Sequence, residues 1–570
     1  MRKKLLFLVA AILLLALAAC GGGGESSEGN ASNTSNETEG AENEAAPAAD
    51  GGSITVATTS EPGNLNPMIW PTVSDTYVTH MIYDSLVIPD EELKMVGSLA
   101  KDWDVSEDGK TYTFYLEEGV TWHDGEPFTA EDVEFTFTAL ADPSYDMGFT
   151  WRVDPIVGAD AYKNGEADSV EGIEVIDDHT IEFTTEEPFA PFLSGLFVGI
   201  LPKHILEDVS PGEWDKHESN RNPIGTGPFK FVEWKTGQYV QVEKNEDYFQ
   251  GAPNLDSIYV RFGDANSMLA SFMSKEIDIT EVPVAEVDSV ATLDFSELTT
   301  QTVLSVFYVG FNALNEHFKD EKVRQAMAHA VDKESIVESV LGEFGTISDD
   351  VFPSEHWSHN PDLPQFEYDL DKANALLEEA GYEKNSNGVY EKDGNPLSFT
   401  LELPTGNKER ETTATLLKQM WDEAGAQVDI QSQDFSTLTS TKLLPEADDG
   451  TQRAVTADDY DAYILGYSLE ADPDEYRSYF GSTYMPPNGY NFVSYSNSKV
   501  DELMELQTKQ IESDERQDTF WEIGHELASS QIWVPLYEQE NPFVYSKRVT
   551  GFEPDFRGVT FGAKDWAVTE

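Results

Sequence analysis

A mixed α/β chain of at least two core-bearing units is what the sequence predicts, on three observations. The chain has 570 residues, whereas a single core seldom exceeds about 250–300 residues. Segments with period-two alternation dominate up to about residue 310. From there to about 530, apolar stripes of helical period alternate with strands, and "QIWVPLYEQENPFVYSKRVTGF" then returns to strand character. That return predicts a terminal segment rejoining the first unit, so the chain crosses between units twice and forms a hinge. Apolar residues at 39% and aromatics at 11% supply core material that a disordered acidic polymer lacks.

In chain order, "MRKKLLFLVAAILLLALAAC" (1–20) opens with three bases, continues as a short apolar run and ends in small residues, the layout of an export signal. Cys20 is the only cysteine, which excludes disulfides and thiol chemistry from the body. No second apolar span of transmembrane length follows. Residues 21–52 are rich in Gly, Ser, Asn and Glu and hold no large apolar side chain up to residue 50, so they cannot offset the entropy of ordering and are expected to be a disordered acidic tether. Its root-mean-square reach is roughly 30 Å.

The body begins with strands. "KTYTFYL" places Tyr112, Phe114 and Leu116 on one face; "GIEVIDDHTIEFT" and "GPFKFVEWKTGQYVQVEKN" each read as two strands about a turn. "TAEDVEFTFTAL" is a helix capped by Thr129 with Asp132 three residues on and Val133, Phe137 and Leu140 inward. "EKVRQAMAHAVDKESIVESVLG" carries one apolar stripe at 323, 326, 327, 330 and 331 and reads as a helix. "DLDKANALLEEAGY" opens at Asp369, faces inward with Ala373, Leu376, Leu377 and Ala380, and closes at Gly381; "SNSKVDELMELQ" opens at Ser498 and buries Val500, Leu503 and Met504.

Against 36 Lys and Arg stand 106 Asp and Glu, a formal charge of -70. Such a surface excludes nucleic acid, whose phosphates need basic partners, and reads as adaptation to salt or alkaline surroundings. Enzyme motifs fail one after another. Ser529 stands where a zinc-protease helix beginning at His525 needs its second ligand; Lys230 replaces the third glycine of a dinucleotide loop in "GTGPFK"; Tyr476 spoils a calcium loop in "DPDEYRSYFG"; His123 in "TWHDGEPF" has no nucleophile nearby. No cofactor and no metal site is implied, since ten His lie scattered.

"GSLAKDWDVSEDGKTYTFYLEEGVTWHDGEPFTAEDVEFTFTAL" (97–140) resembles the signature segment of the family-5 extracellular solute-binding proteins, the peptide- and nickel-binding receptors of ABC importers. "EPGNLNP" (61–67), 224–262, 318–337, "YDLDKANALLEEAGY" (368–382) and 495–537 resemble the same family in the same order. The resemblance implies a two-lobed fold like that of periplasmic binding proteins, with hinge strands and an extra N-terminal subdomain. Lobe one would comprise 53–90, 195–307 and 531–570, the subdomain 91–194 and lobe two 308–530. It implies a monomeric, non-enzymatic receptor that captures oligopeptides outside the cell and hands them to an ABC permease and ATPase. "LAAC" resembles a lipobox, which would leave lipidated Cys20 as anchor on the outer face of the membrane.

The stretch "LGYSLEADPDEYRSYF" (465–480) occupies the place where peptide-binding members meet the ligand's amino terminus with an acid. The resemblance points to Asp472 ahead of Glu470 as that acid, with Tyr467, Tyr490 and Phe492 as aromatic walls, Tyr308 and Asn312 on the strand entering lobe two, and Glu61 and Asn64 at the opposite rim. A carboxylate there has a physical purpose: an ammonium enclosed in a cleft loses hydration worth several kcal/mol unless an anion meets it. The alternative role for Asp472 is to cap a helix starting at Pro473. Other solutes on the same fold, an oligosaccharide stacked on Trp70, Trp151 or Trp421 or a nickel chelate, remain open, as do a secreted hydrolase and an adhesin.

Overall fold

The computed structural model describes residues 51–69, 71–447 and 449–569; the expected leader with Cys20, the tether as far as residue 50 and Trp70 lie outside the described residues. Two large sheets organise the body, one per lobe. The seven-stranded sheet runs, in spatial order, Ser296–Gln301, Asn541–Ser546, Ile279–Glu281, Ser53–Thr58, Ser257–Phe262, Tyr239–Lys244 and Phe229–Lys235. The six-stranded sheet runs Gly345–Ile347, Trp533–Gln539, Ser305–Phe311, Ala462–Ser468, Ser398–Pro404 and Gln427–Gln433. A four-stranded antiparallel sheet of Ala100–Val105, Thr111–Leu116, Thr180–Thr184 and Ile173–Asp177 builds the subdomain. Its Tyr112, Phe114 and Leu116 are all buried, as period-two alternation requires.

The chain passes between the large sheets twice. Gln301 pairs with Asn541 in the first sheet, Phe307 with Tyr537 in the second, and both connections run side by side as an antiparallel ribbon. The crossings therefore fall at 302–304 and at Glu540. Texture places them near 310 and 530 and the family resemblance at 307/308 and 530/531, and the strand Trp533–Gln539 belongs to the second sheet where both readings assign it to lobe one. Its Val534 and Leu536 sit in the second-lobe core. An apolar run declares a strand but does not name its neighbour.

Period two on the second sheet decides which side chains reach the site. On Ala462–Ser468, Ala462 and Ile464 enter the core beneath the helices Glu321–His329, Leu370–Glu379 and Lys408–Ala424, while Tyr463, Leu465 and Tyr467 face the opposite, aromatic-rich core. Gly310 is required there, because a Cβ on it would lie 2.5 Å from Cζ of Tyr463.

The helix starts follow their caps. Asp132 accepts the backbone N–H of Thr129 at 2.9 Å ahead of Ala130–Leu140, and Asp369 accepts that of Lys372 at 2.9 Å ahead of Leu370–Glu379. Two readings shift. The stripe from 321 on divides into Glu321–His329 and Lys333–Val340, because Asp332 accepts the N–H of Ser335 and starts a second helix. Asn497, one residue before the predicted Ser498, caps Ser498–Gln507 by accepting the N–H of Lys499. Among the described residues no helix is long and apolar enough to cross a membrane.

Candidate functional site

The strand Ala462–Ser468 delivers the chain into the loop 469–475, and the short helix Tyr476–Phe480 follows. Asp472 takes the capping role. Its Oδ1 accepts the N–H of Asp474 at 2.9 Å as Pro473 starts a 3₁₀ turn, and both carboxylate oxygens are gripped by Arg516, at 2.6 Å from Nη1 and 2.7 Å from Nη2. Arg516 and Asp472 side chains are 8% and 13% exposed, so this is an enclosed, bidentate ion pair. The acid that the sequence ranks first for an amine is thus committed internally, and the reason is an arginine 44 residues away.

The rest of the loop is held from every side. His356 stands 3.2 Å through Nε2 from the carbonyls of Glu470 and Ala471, and Trp357 donates Nε1–H to Ala471 at 3.0 Å. The N–H of Ser358 donates to Nδ1 of His356, which assigns the ring proton to Nε2. Burial lowers the His356 pKa to about 4, keeping the ring neutral. Asp474 accepts from Arg477 and from Gln507, and Gln507 Oε1 in turn accepts from Arg516 at 2.9 and 3.0 Å. Glu475 turns inward, accepting the hydroxyl of Tyr467 and, at 2.9 Å, the N–H of Glu470.

Glu470 is therefore fixed through its own N–H and C=O while its side chain projects outward. Its carboxylate has no hydrogen-bond or ion-pair partner among the described residues, unlike those of Asp472, Asp474 and Glu475. Burial, reinforced by the charge of Glu470, raises the Glu475 pKa to about 8. Arg152 of the subdomain lies in the field of Glu470 and Glu475; burial lowers its pKa and their charges oppose that shift. Its Nη1 donates to Gly195 at 2.8 Å, and its guanidinium stacks 4.4 Å from the Trp151 ring.

Tyr467, Tyr490 and Phe492 come together around a residue that sequence reading passes over. Tyr479 lies 4.5 Å from Tyr467, 5.6 Å from Tyr490 and 6.1 Å from Phe492 between ring centroids. Tyr490 is 49% exposed, so the cluster offers an accessible aromatic face beside the loop. The remaining predicted residues have structural duties. Tyr308 is buried and stacks on Trp533 at 3.5 Å; Asn312 is buried, donates to the carbonyls of Thr456 and Tyr460 and accepts from Leu314. Glu61 accepts from Trp234 Nε1 at 2.9 Å and from Gly237, and Asn64 accepts the N–H of Asn66. Trp421 is a core residue donating to Met327, whereas Trp151 is 41% exposed.

Arg516, His356, Trp357, Glu475 and Tyr479 are the partners of the loop and its aromatic cluster that sequence reading missed. One signal was available: Arg516 is the only base in the acidic run "ESDERQD", where a lone cation invites an acid from elsewhere. Two open hollows of about 460 and 420 Å³ on the first sheet, one lined by Arg261 and Met268 and the other by Lys230 and Asp247, contain none of these groups. Among the described residues no cluster of three or more His, Cys, Asp or Glu is placed to hold a metal.

The chain is similar to known proteins over most of its length. The model of the bacterial extracellular solute-binding proteins, family 5 (middle), matches residues 94–486. The oligopeptide-binding protein AppA of Bacillus subtilis is 32% identical over 527 residues, covering 90% of this chain and 91% of its own; the dipeptide-binding protein of Escherichia coli is 26% identical over 484 residues, covering 81% and 82%. Among solved structures, B. subtilis AppA in complex with a nonapeptide superposes with a TM-score of 0.75 at 30% identity, covering 92% of this chain and all of that one. NikZ of Campylobacter jejuni in complex with Ni(L-His) gives 0.76 at 26%, covering 90% and 99%.

Proposed function

Because the chain belongs to the bacterial extracellular solute-binding proteins of family 5, we propose that it is the peptide receptor of an ABC import system, with Glu470 receiving the ligand's amino terminus. The observation that carries this reading is the state of Glu470: an acid whose main chain is clamped and whose carboxylate is unpaired beside an aromatic face. A carboxylate carried on a clamped main chain leaves only its own side-chain rotamers to order when it meets an ammonium, and a charge-assisted hydrogen bond is worth about 1.5–3 kcal/mol. Tyr479 and Tyr490 supply apolar contact that demands no particular sequence. Peptide backbone held by main-chain groups would add to this without selecting side chains.

Lobe closure about the 302–304 and 540 crossings then presents the permease with a shape that only the loaded receptor holds for long. A ligand drives closure solely through its greater affinity for the closed form. The chemistry is binding alone. The "LAAC" sequence supports lipid anchoring through Cys20 at the outer face of the membrane.

Mass spectrometry of compounds that co-purify with the full chain tests the reading. Short peptides with free amino termini, returned intact after incubation, are the expected result; a saccharide, a metal chelate or cleaved peptides overturn it.

A further inference from the structure

The helix Ser498–Gln507 ends where two sets of contacts meet. Gln507 is fully buried and belongs to the acidic loop: it donates to Asp474 and accepts from Arg516, the partner of Asp472. The next two residues reach across to the subdomain. The carbonyl of Thr508 accepts the N–H of Ala190 at 2.7 Å, and Lys509 pairs with Glu187 at 2.9 Å. Ile511 extends the contact, since a Cβ on Gly109 of the subdomain would lie 3.0 Å from its Cγ1. A second thread runs parallel: Arg477 grips Asp474 while its guanidinium sits 6.0 Å from the ring of Phe189. The subdomain segment 186–190 is itself anchored, with Tyr112 donating to the carbonyl of Phe189 and Lys110 to that of Glu186.

We propose that Gln507 is a positioning residue that couples the acidic loop to the subdomain, so that the conformation of loop 469–475 and the closing contact of 507–511 with 186–190 form or break together. The coupling rests on the reading of Glu470 as ligand contact only for its purpose; the mechanical link stands on the hydrogen bonds. Ligand capture at Glu470 stiffens a loop whose Asp474 is tied to Gln507, and Gln507 sets the register of the Thr508 carbonyl that receives Ala190. Glu187 and Asp474 lie at opposite ends of this chain of contacts with no bond to each other, so independent sites would act additively.

The experiment uses the full chain with Cys20→Ser and spin labels at Ser169→Cys in the subdomain and Glu338→Cys in lobe two, both exposed. The interlobe distance distribution is recorded without added ligand. Asp474→Asn, which alters no residue bonded to the subdomain, is expected to lower the closed-to-open ratio at least about threefold, as is Gln507→Met; Asp474→Glu restores part of the loss. Combined with Glu187→Gln, Asp474→Asn adds less than the product of the single effects. Parental distances in both Asp474→Asn and Gln507→Met, or strictly multiplicative effects, overturn the coupling.

Should both variants fail to fold, hydrogen exchange at the Ala190 amide of the parent chain decides. A synthetic mixture of nonapeptides with free amino termini is expected to slow it several-fold, and binding without slowing overturns the coupling. If no peptide in the mixture binds, the proposed function fails, and the coupling is then overturned unless Glu187→Gln in that chain speeds exchange at the Gln507 amide.

Discussion

Two polar segments, 61–75 in lobe one and 469–475 in lobe two, use their acids in opposite ways. In the first, every acid is spent inside the protein: Glu61 holds Trp234 and Gly237, and Asp75 holds Gly63, Asn64 and Thr72. In the second, Asp472, Asp474 and Glu475 are spent in the same way, and their combined effect is to leave Glu470 fixed but unpaired. In a chain with 106 acids, position and number say little about which acid works. What separates them is whether the surrounding structure has already satisfied them.

That contrast can be broken most forcefully at Arg516. Arg516→Met leaves the Asp472 carboxylate enclosed and uncompensated, and losing one partner of a buried pair costs about 3–5 kcal/mol. Urea denaturation is expected to show a loss of unfolding free energy of that size, and a loss below 1 kcal/mol would mean that the loop does not depend on the pair. Glu475 sharpens the contrast through pH. Its carboxyl is raised to about 8, so its protonated form suits the fold. The stability it contributes is fully present below the unfolded-state value of about 4.3 and is lost as pH rises through about 8. Glu475→Gln should flatten the fall in stability between pH 5 and 8, measured by thermal melts across that range.

Glu61→Gln tests the other segment. It weakens two hydrogen bonds and is expected to cost about 1 kcal/mol of stability with peptide affinity unchanged; an affinity loss would return Glu61 to the site. Smallest is Tyr490→Ala, an exposed ring, for which stability should stay within about 0.5 kcal/mol while peptide affinity falls a few-fold by calorimetry.

Much of the fold is legible in the sequence because its signals are local. Thr129 with Asp132, Asp369 before its stripe and the alternation of Tyr112, Phe114 and Leu116 each act within a few residues. Tyr467 is likewise legible, since strand period fixes its face with Tyr463 and Leu465. What escapes depends on partners remote in sequence. Strand Trp533–Gln539 reads as a strand, but only its neighbour Ser305–Phe311 assigns it to the second sheet. Asp472 and Glu470 stand two positions apart in one loop; Pro473 marks Asp472 locally as a cap, but only Arg516 and His356, both remote in sequence, fix which carboxylate is consumed and which is left unpaired.

The measurement that tests the central claim most directly is calorimetric titration of one peptide, with its amino terminus free and acetylated, against the parent chain and Glu470→Gln. The parent is expected to bind the free amine roughly 10- to 100-fold more tightly, consistent with about 1.5–3 kcal/mol for a charge-assisted contact, and Glu470→Gln to erase that gap at unchanged stability. A preference for the free amine that survives in Glu470→Gln would contradict the account.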